Sequence, residues 1–171
     1  MPSKSRAVPL ALSLSVLIVF AIRLLWALPL LPETVASHFD GAGRPNGHQS
    51  KTAFAVLCMA FSSGLFAVFA LLSSSLHHIP SSLLNLPNRE YWLTPERRRA
   101  ALERMGVYLD WFAFATLLVL VGASELALEA NLARAPLDDS AFWTLLGCYI
   151  AFTVVWTVLL LGAFAIPKKL T

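Results

Sequence analysis

His38, Asp40 and His48 share one short polar segment, and all three are residue types that ligate zinc or copper. Their spacing follows no established metal pattern, so hydrogen bonding of the imidazoles within a loop is the plainer expectation, and neither metal nor cofactor is expected. Arg23, Asp110 and Glu125 are charges inside otherwise apolar stretches. There a charge costs roughly 3 kcal/mol unless it pairs, snorkels or faces a polar path. Arg23 and Glu125 lie at similar depth below the same end of two stretches that run in the same direction, which suits a buried ion pair; separate snorkelling is the alternative. Asp110 sits about one turn inside its stretch, within reach of Arg104 or of Arg97, Arg98 and Arg99. Proton or ion movement through these carboxylates would need further polar groups at mid-depth, where the third stretch offers only Thr116. His77 and His78 are adjacent and point about 100° apart on a helix, which suits an interface better than a shared ion. With no nucleophile elbow, phosphate loop, HExxH or CxxC, no enzyme is expected.

These residues are carried by four apolar stretches, 8–31, 53–75, 106–128 and 142–166, each about as long as the 20 residues a helix needs to cross ~30 Å of hydrocarbon. Hydrophobic residues make up 57% of the 171-residue chain and charged residues 13%, against about 25% charged in a soluble domain. The mean hydropathy is +0.68. The first stretch follows Lys4 and Arg6 but is too long for a signal-peptide core and ends without an A-x-A-like site, so it reads as an uncleaved span. The expected fold is an all-α integral membrane protein, a single membrane domain with four transmembrane helices in an up-down bundle.

Orientation follows from the basic residues. Lys4, Arg6, Arg89, Arg97, Arg98, Arg99, Arg104, Lys168 and Lys169 fall on one side of alternating spans, and only Arg44, Lys51 and Arg134 on the other. The positive-inside rule makes both termini and the loop 76–105 cytoplasmic, and turns the loops 32–51 and 129–140 outward, in a bacterial plasma membrane. Arg97, Arg98 and Arg99 then suit anionic lipid headgroups, and no nucleic acid is needed to explain them. In the same loop Leu83, Leu84 and Leu86 form an apolar patch, Tyr91 and Trp92 suit headgroup anchoring, and Thr94 with Pro95 and Glu96 reads as a helix start. Arg99 and Glu103 form an i,i+4 pair on that helix, which should run unbroken into the third span. Ala60 with Gly64, and Gly147 with Ala151, are candidate helix-contact seams. Cys58 and Cys148 share a depth and could bridge only if the second and fourth helices touch; apolar filling is the ordinary role.

The loop 32–51 carries the most specific sequence. Gly41, Gly43, Pro45 and Asn46-Gly47 demand tight turns, so it should be compact and follow a defined path. A helix ending at Pro32, then His38-Phe39-Asp40, Gly43, Asn46 and Ser50-Lys51 leading straight into a second helix, resembles the domain of unknown function numbered 1648, found at the front of SdpI-type toxin-immunity membrane proteins. The segment Leu86-Pro87-Asn88-Arg89-Glu90-Tyr91-Trp92-Leu93-Thr94-Pro95-Glu96-Arg97-Arg98 resembles one seen in stand-alone members. Gly47-His48-Gln49 replaces the family's usual tryptophan-glycine before the serine-lysine. Immunity proteins of this type carry a further multi-span region, so immunity is not implied by the matched residues alone. Because the specific residues lie in this loop, the expected function is a sensing, immunity or protective role exercised through His38, Phe39, Asp40, Gly43, Asn46, Ser50 and Lys51, toward a protein or peptide partner. The competing expectation is a small transporter or channel-like subunit that uses the charges in its spans.

Overall fold

The computed structural model describes residues 4–166; Lys168, Lys169 and the side chain of Lys4, counted above in the basic belt, lie outside that description. Four helices are long and apolar enough to cross a membrane, and they define a multi-pass membrane protein. Helix α1 (Lys4–Ala27) tightens into a 3-10 turn at Leu28–Leu30. Pro29 and Pro32 stop it there, because the residue before a proline is driven out of the helical region, and Leu31 is accordingly extended. Helix α2 (Lys51–Ser75) starts where the Ser50 hydroxyl accepts from the Ala53 N–H at 3.2 Å.

After α2, two 3-10 turns and the four-residue helix α3 (Arg89–Trp92) lead to α4 (Arg98–Ala133). The Thr94 hydroxyl does not cap α4 as its sequence context suggests. It is the Thr94 carbonyl that accepts, from the N–H groups of Arg97 (3.1 Å) and Arg98 (2.9 Å), so the helix begins later than Pro95. Helix α4 then runs 36 residues without a break, about 54 Å at 1.5 Å per residue, and stands out of a ~30 Å hydrocarbon layer at both ends. Helix α5 (Asp139–Ala163) starts on Asp138, whose carboxylate accepts from the Ala141 N–H at 2.9 Å.

Helix α4 is the hub: α1, α2 and α5 all pack on it, and α1 also meets α2. No residue of α5 is buried, as befits a helix whose other faces meet lipid. It is held to α4 by Phe112 against Trp156 (4.8 Å between ring centres), by the Trp156 indole N–H on the Tyr108 carbonyl (3.1 Å), and by Thr116 with Tyr149 (2.8 Å). The close approach uses Gly122, where a Cβ would sit 3.0 Å from Leu145. The seams expected at Ala60 with Gly64 and Gly147 with Ala151 are not used: nothing lies within 4 Å of a Cβ built on Gly64 or Gly147. Spacing of small residues permits a close approach without choosing the face that makes it. Cys58 and Cys148 are both free, the first half-buried and the second exposed.

Two clusters of buried apolar side chains close the ends. One joins Phe20, Leu24, Val35, Phe54 and Leu128; the other joins Leu86, Ala101 and Phe164, with Trp92 and Met105 against them. Trp92 packs edge-on to Phe164 at 5.7 Å and donates its indole N–H to the Phe164 carbonyl at 2.8 Å. Asn88 (2.9 Å) donates to the same carbonyl and Arg104 (2.7 Å) to that of Ala163, so the middle loop caps the end of α5. Arg98 is engaged by Ser81 and by the His77 and Ile79 carbonyls, and Arg97 stacks on Tyr91. Arg99 forms its expected contact with Glu103, at 3.1 Å.

The compact first loop is a β-hairpin, an element absent from an all-α expectation. Strand β1 (Thr34–Phe39) pairs antiparallel with β2 (Pro45–Ser50), with register shifts around His38. It forms a cap at one end of the bundle, hereafter the hairpin face.

Candidate functional site

The hairpin is tied down from three directions. At its tip Asp40 Oδ1 accepts from the N–H groups of Ala42 and Arg44, both at 2.9 Å, and Oδ2 meets the Arg44 guanidinium at 3.2 Å. These donors, the Arg44 N–H foremost, hold the Asp40 carboxyl below its ordinary range. A depressed folded-state pKa means that the contribution is present above the ordinary carboxylate pKa and lost as pH falls through the folded value. Order in the turn, followed by the NMR chemical shift of the Ala42 amide, should therefore be constant down to about pH 4 and decline below it.

Gly43 adopts φ +73° and accepts from the Leu137 N–H at 2.9 Å; a Cβ there would meet the Leu137 carbonyl oxygen at 2.2 Å, so only glycine fits. The Trp143 indole donates to the Gly41 carbonyl at 3.3 Å. The tip of the hairpin is thus fastened to the segment that starts α5.

At the middle of β1, Asn131 of α4 acts as a substitute strand. Its Oδ1 accepts from the Ala36 N–H at 2.7 Å and its Nδ2 donates to the Ala36 carbonyl at 2.8 Å, while a second bond goes to the Ala127 carbonyl. Asn131 is buried, and its partnering satisfies both backbone groups where the register shifts. At the base, Lys51 Nζ lies 2.9 Å from Glu33 Oε1 and its N–H donates to the Glu33 carbonyl at 3.0 Å.

The residues singled out from the sequence therefore divide. Asp40, Gly43, Ser50 and Lys51 fold and seat the hairpin; Phe39 packs against the buried cluster below it. His38 is exposed, its ring laid across Gly47, where a Cβ would sit 3.0 Å from the imidazole, and Asn46 is exposed. Beside the hairpin opens a cleft of about 320 Å³ whose polar lining comes from Thr34, His48, Asn131 and Arg134, with Phe39 and Pro45 as apolar walls. Arg134 sits in the left-handed region at φ +52°, where its N–H and that of Ala135 close the end of α4 onto the carbonyls of Asn131 and Ala130. Glycine ordinarily occupies that position. Asn131 and Arg134 were missed by sequence reasoning; a polar residue on the inward face of a helix end was the available sign.

The span charges are also brought together. Arg23 Nε lies 2.8 Å from Glu125 Oε1, and the same guanidinium reaches Glu129. The pair is not buried, since about a third of each side chain is exposed (35% and 33%). Asp110 is neutralised not by Arg104 or by the arginines at 97–99 but by Arg6 of α1, at 2.6 Å. Ser73 of α2 donates to Asp110 Oδ1 at 2.6 Å and accepts from Arg6 at 2.5 Å, so one buried triad ties three helices together. By its place before the first apolar stretch Arg6 reads as a tail residue, yet it lies at the depth of Asp110.

Fold and cap together define a multi-pass membrane protein bearing a docked β-hairpin on one face. Residues 14–62, which span most of α1, the hairpin and the start of α2, match the family model described as Domain of unknown function (DUF1648), in agreement with the resemblance drawn from the loop. Comparison with curated proteins and with solved structures gave no match.

Proposed function

We propose that this is a non-enzymatic plasma-membrane protein of bacterial type that senses or protects by binding a protein or peptide segment in the cleft between its hairpin and the end of α4. The observation that carries the reading is Arg134: a left-handed arginine costs on the order of 1 kcal/mol relative to glycine, and here it places a cation at a preformed cleft beside His48. Such a pair suits an acidic side chain or a C-terminal carboxylate. The outward orientation of the hairpin is supported by the excess of arginine in the loop 76–105 over the hairpin side. Likeness to the front of SdpI-type immunity proteins supports the protective form of the reading.

Arg134→Gly separates fold from function, because it relieves the backbone while removing the charge. It should raise stability by about 1 kcal/mol and, together with His48→Ala, abolish the phenotype produced by deleting the gene, at unchanged abundance. With the hairpin outward, a cysteine at Ala42 should react with an impermeant thiol reagent on intact cells and one at Ser82 should not. Wild-type behaviour of the Arg134→Gly/His48→Ala variant at equal abundance would overturn the cleft. A second reading, transport through the spans, draws support from Ser62, whose fully buried hydroxyl has no partner among the described residues. On that reading Ser62→Ala abolishes the phenotype at normal abundance while the cleft variants are silent.

A further inference from the structure

The lateral face between α1 and α4 carries a second site, distinct from the cleft. A groove of about 470 Å³ runs along Ser15, Val16, Val19 and Phe20 of α1 against Val121 of α4, and ends at Arg23 and Glu125. From Ser15 to Arg23 is about 12 Å at 1.5 Å per residue, close to half of a ~30 Å hydrocarbon core. The groove is thus a little under half a hydrocarbon core in length, and its charged end lies toward the hairpin face, where Glu129 falls just past the end of the apolar stretch 106–128.

The charges at that end are not balanced. Arg23 contributes +1, and Glu125 and Glu129, both bonded to it, contribute −1 each, leaving one negative charge. Glu129 is 57% exposed in its side chain, so its carboxylate remains open to a further donor. Arg23 in turn has five N–H donors, of which Nε serves Glu125 and one on Nη2 serves Glu129. The remaining N–H groups have no partner among the described residues and can meet an anionic oxygen. A negative acceptor just past the end of an apolar stretch and residual guanidinium donors beside it, at one end of an apolar groove about 12 Å long, are complementary to a zwitterion with a primary ammonium next to a phosphate.

We infer that this groove binds a phospholipid with a primary-amine headgroup, of the phosphatidylethanolamine class, with one acyl chain along α1, its ammonium on Glu129 and its phosphate on Arg23. A quaternary choline headgroup has no N–H to donate and an anionic glycerol headgroup meets the net negative charge, so both are disfavoured. Neither the hairpin nor its cleft takes part, and the inference stands whatever the fate of the proposed function.

The full-length protein, reconstituted in nanodiscs of equimolar phosphatidylethanolamine, phosphatidylcholine and phosphatidylglycerol, is transferred to native mass spectrometry and its retained lipids are counted by class. Wild type should retain one phosphatidylethanolamine with about tenfold preference over each of the others, the worth of one charge-assisted hydrogen bond. Glu129→Gln, at an exposed position that leaves the helix interior untouched, should erase the preference without changing the melting temperature. Val19→Trp fills the groove from its lipid side, where Val19 is 66% exposed, and should release the lipid whatever its headgroup. Equal retention of the three lipids overturns the inference, as do preference for phosphatidylglycerol, an unaltered preference in Glu129→Gln, or a dimer that carries no lipid.

Discussion

Asp110→Leu is expected to lose about 3 to 5 kcal/mol of stability, the largest single-residue effect in the molecule. Its side chain is 1% exposed and that of Arg6 13%, so removing the acid strands a cation between α1, α2 and α4 with Ser73 as its remaining partner among the described residues. Arg6→Leu should cost a similar amount for the mirror-image reason. The Arg6→Leu/Asp110→Leu double variant should recover most of the loss, because replacing a whole buried pair by apolar residues is often neutral or better. Denaturant titration of the protein in detergent, followed by tryptophan fluorescence, measures all three. Additive losses in the double variant would show that the two side chains stabilise separately and that the triad is not one unit.

The second large effect belongs to Asn131. Asn131→Leu removes the acceptor for the Ala36 N–H and the donor for its carbonyl, each a buried group that costs about 1 to 3 kcal/mol when left unpaired. The hairpin lies at the end of the bundle, so the protein's response is to lift β1 off α4 and give Ala36 back to water. A cysteine at Ala36, 7% exposed in the seated hairpin, should become reactive toward a soluble thiol reagent by at least about tenfold in the Asn131→Leu background, while α4 itself stays folded. Unchanged protection would mean that Gly43, Leu137 and Trp143 hold the hairpin without Asn131.

What the chain makes legible follows from which forces act alone. The four spans were readable because lipid leaves length and apolarity as nearly the whole specification. Matching depths on parallel-running spans placed Arg23 beside Glu125; the same argument was not extended to Arg6, and Asp110 was assigned to the nearer basic cluster instead. The hairpin was not legible as strand. Pro45-Asn46-Gly47-His48-Gln49-Ser50 has the composition of a turn, and it becomes β2 by pairing with β1, in a hairpin that residues more than 80 positions away hold in place, Asn131 at Ala36 and Leu137 at Gly43. Its motif was legible as a motif but not by role. Family patterns record what must not change, and Asp40, Gly43, Ser50 and Lys51 meet that requirement by holding the cap together, whereas the cleft is lined by His48, a departure from the pattern, and by Arg134, far outside it.

Helix α4 carries Asn131 near one end and Arg98 and Arg104 near the other, with no proline between them in its 36 residues. The hairpin and the middle loop are therefore mounted on opposite ends of one lever. A bilayer that thickens or thins must tilt that lever or bend it, and tilt displaces both caps at once and in opposite directions. A displacement at one cap is therefore carried to the other along a single unbroken helix.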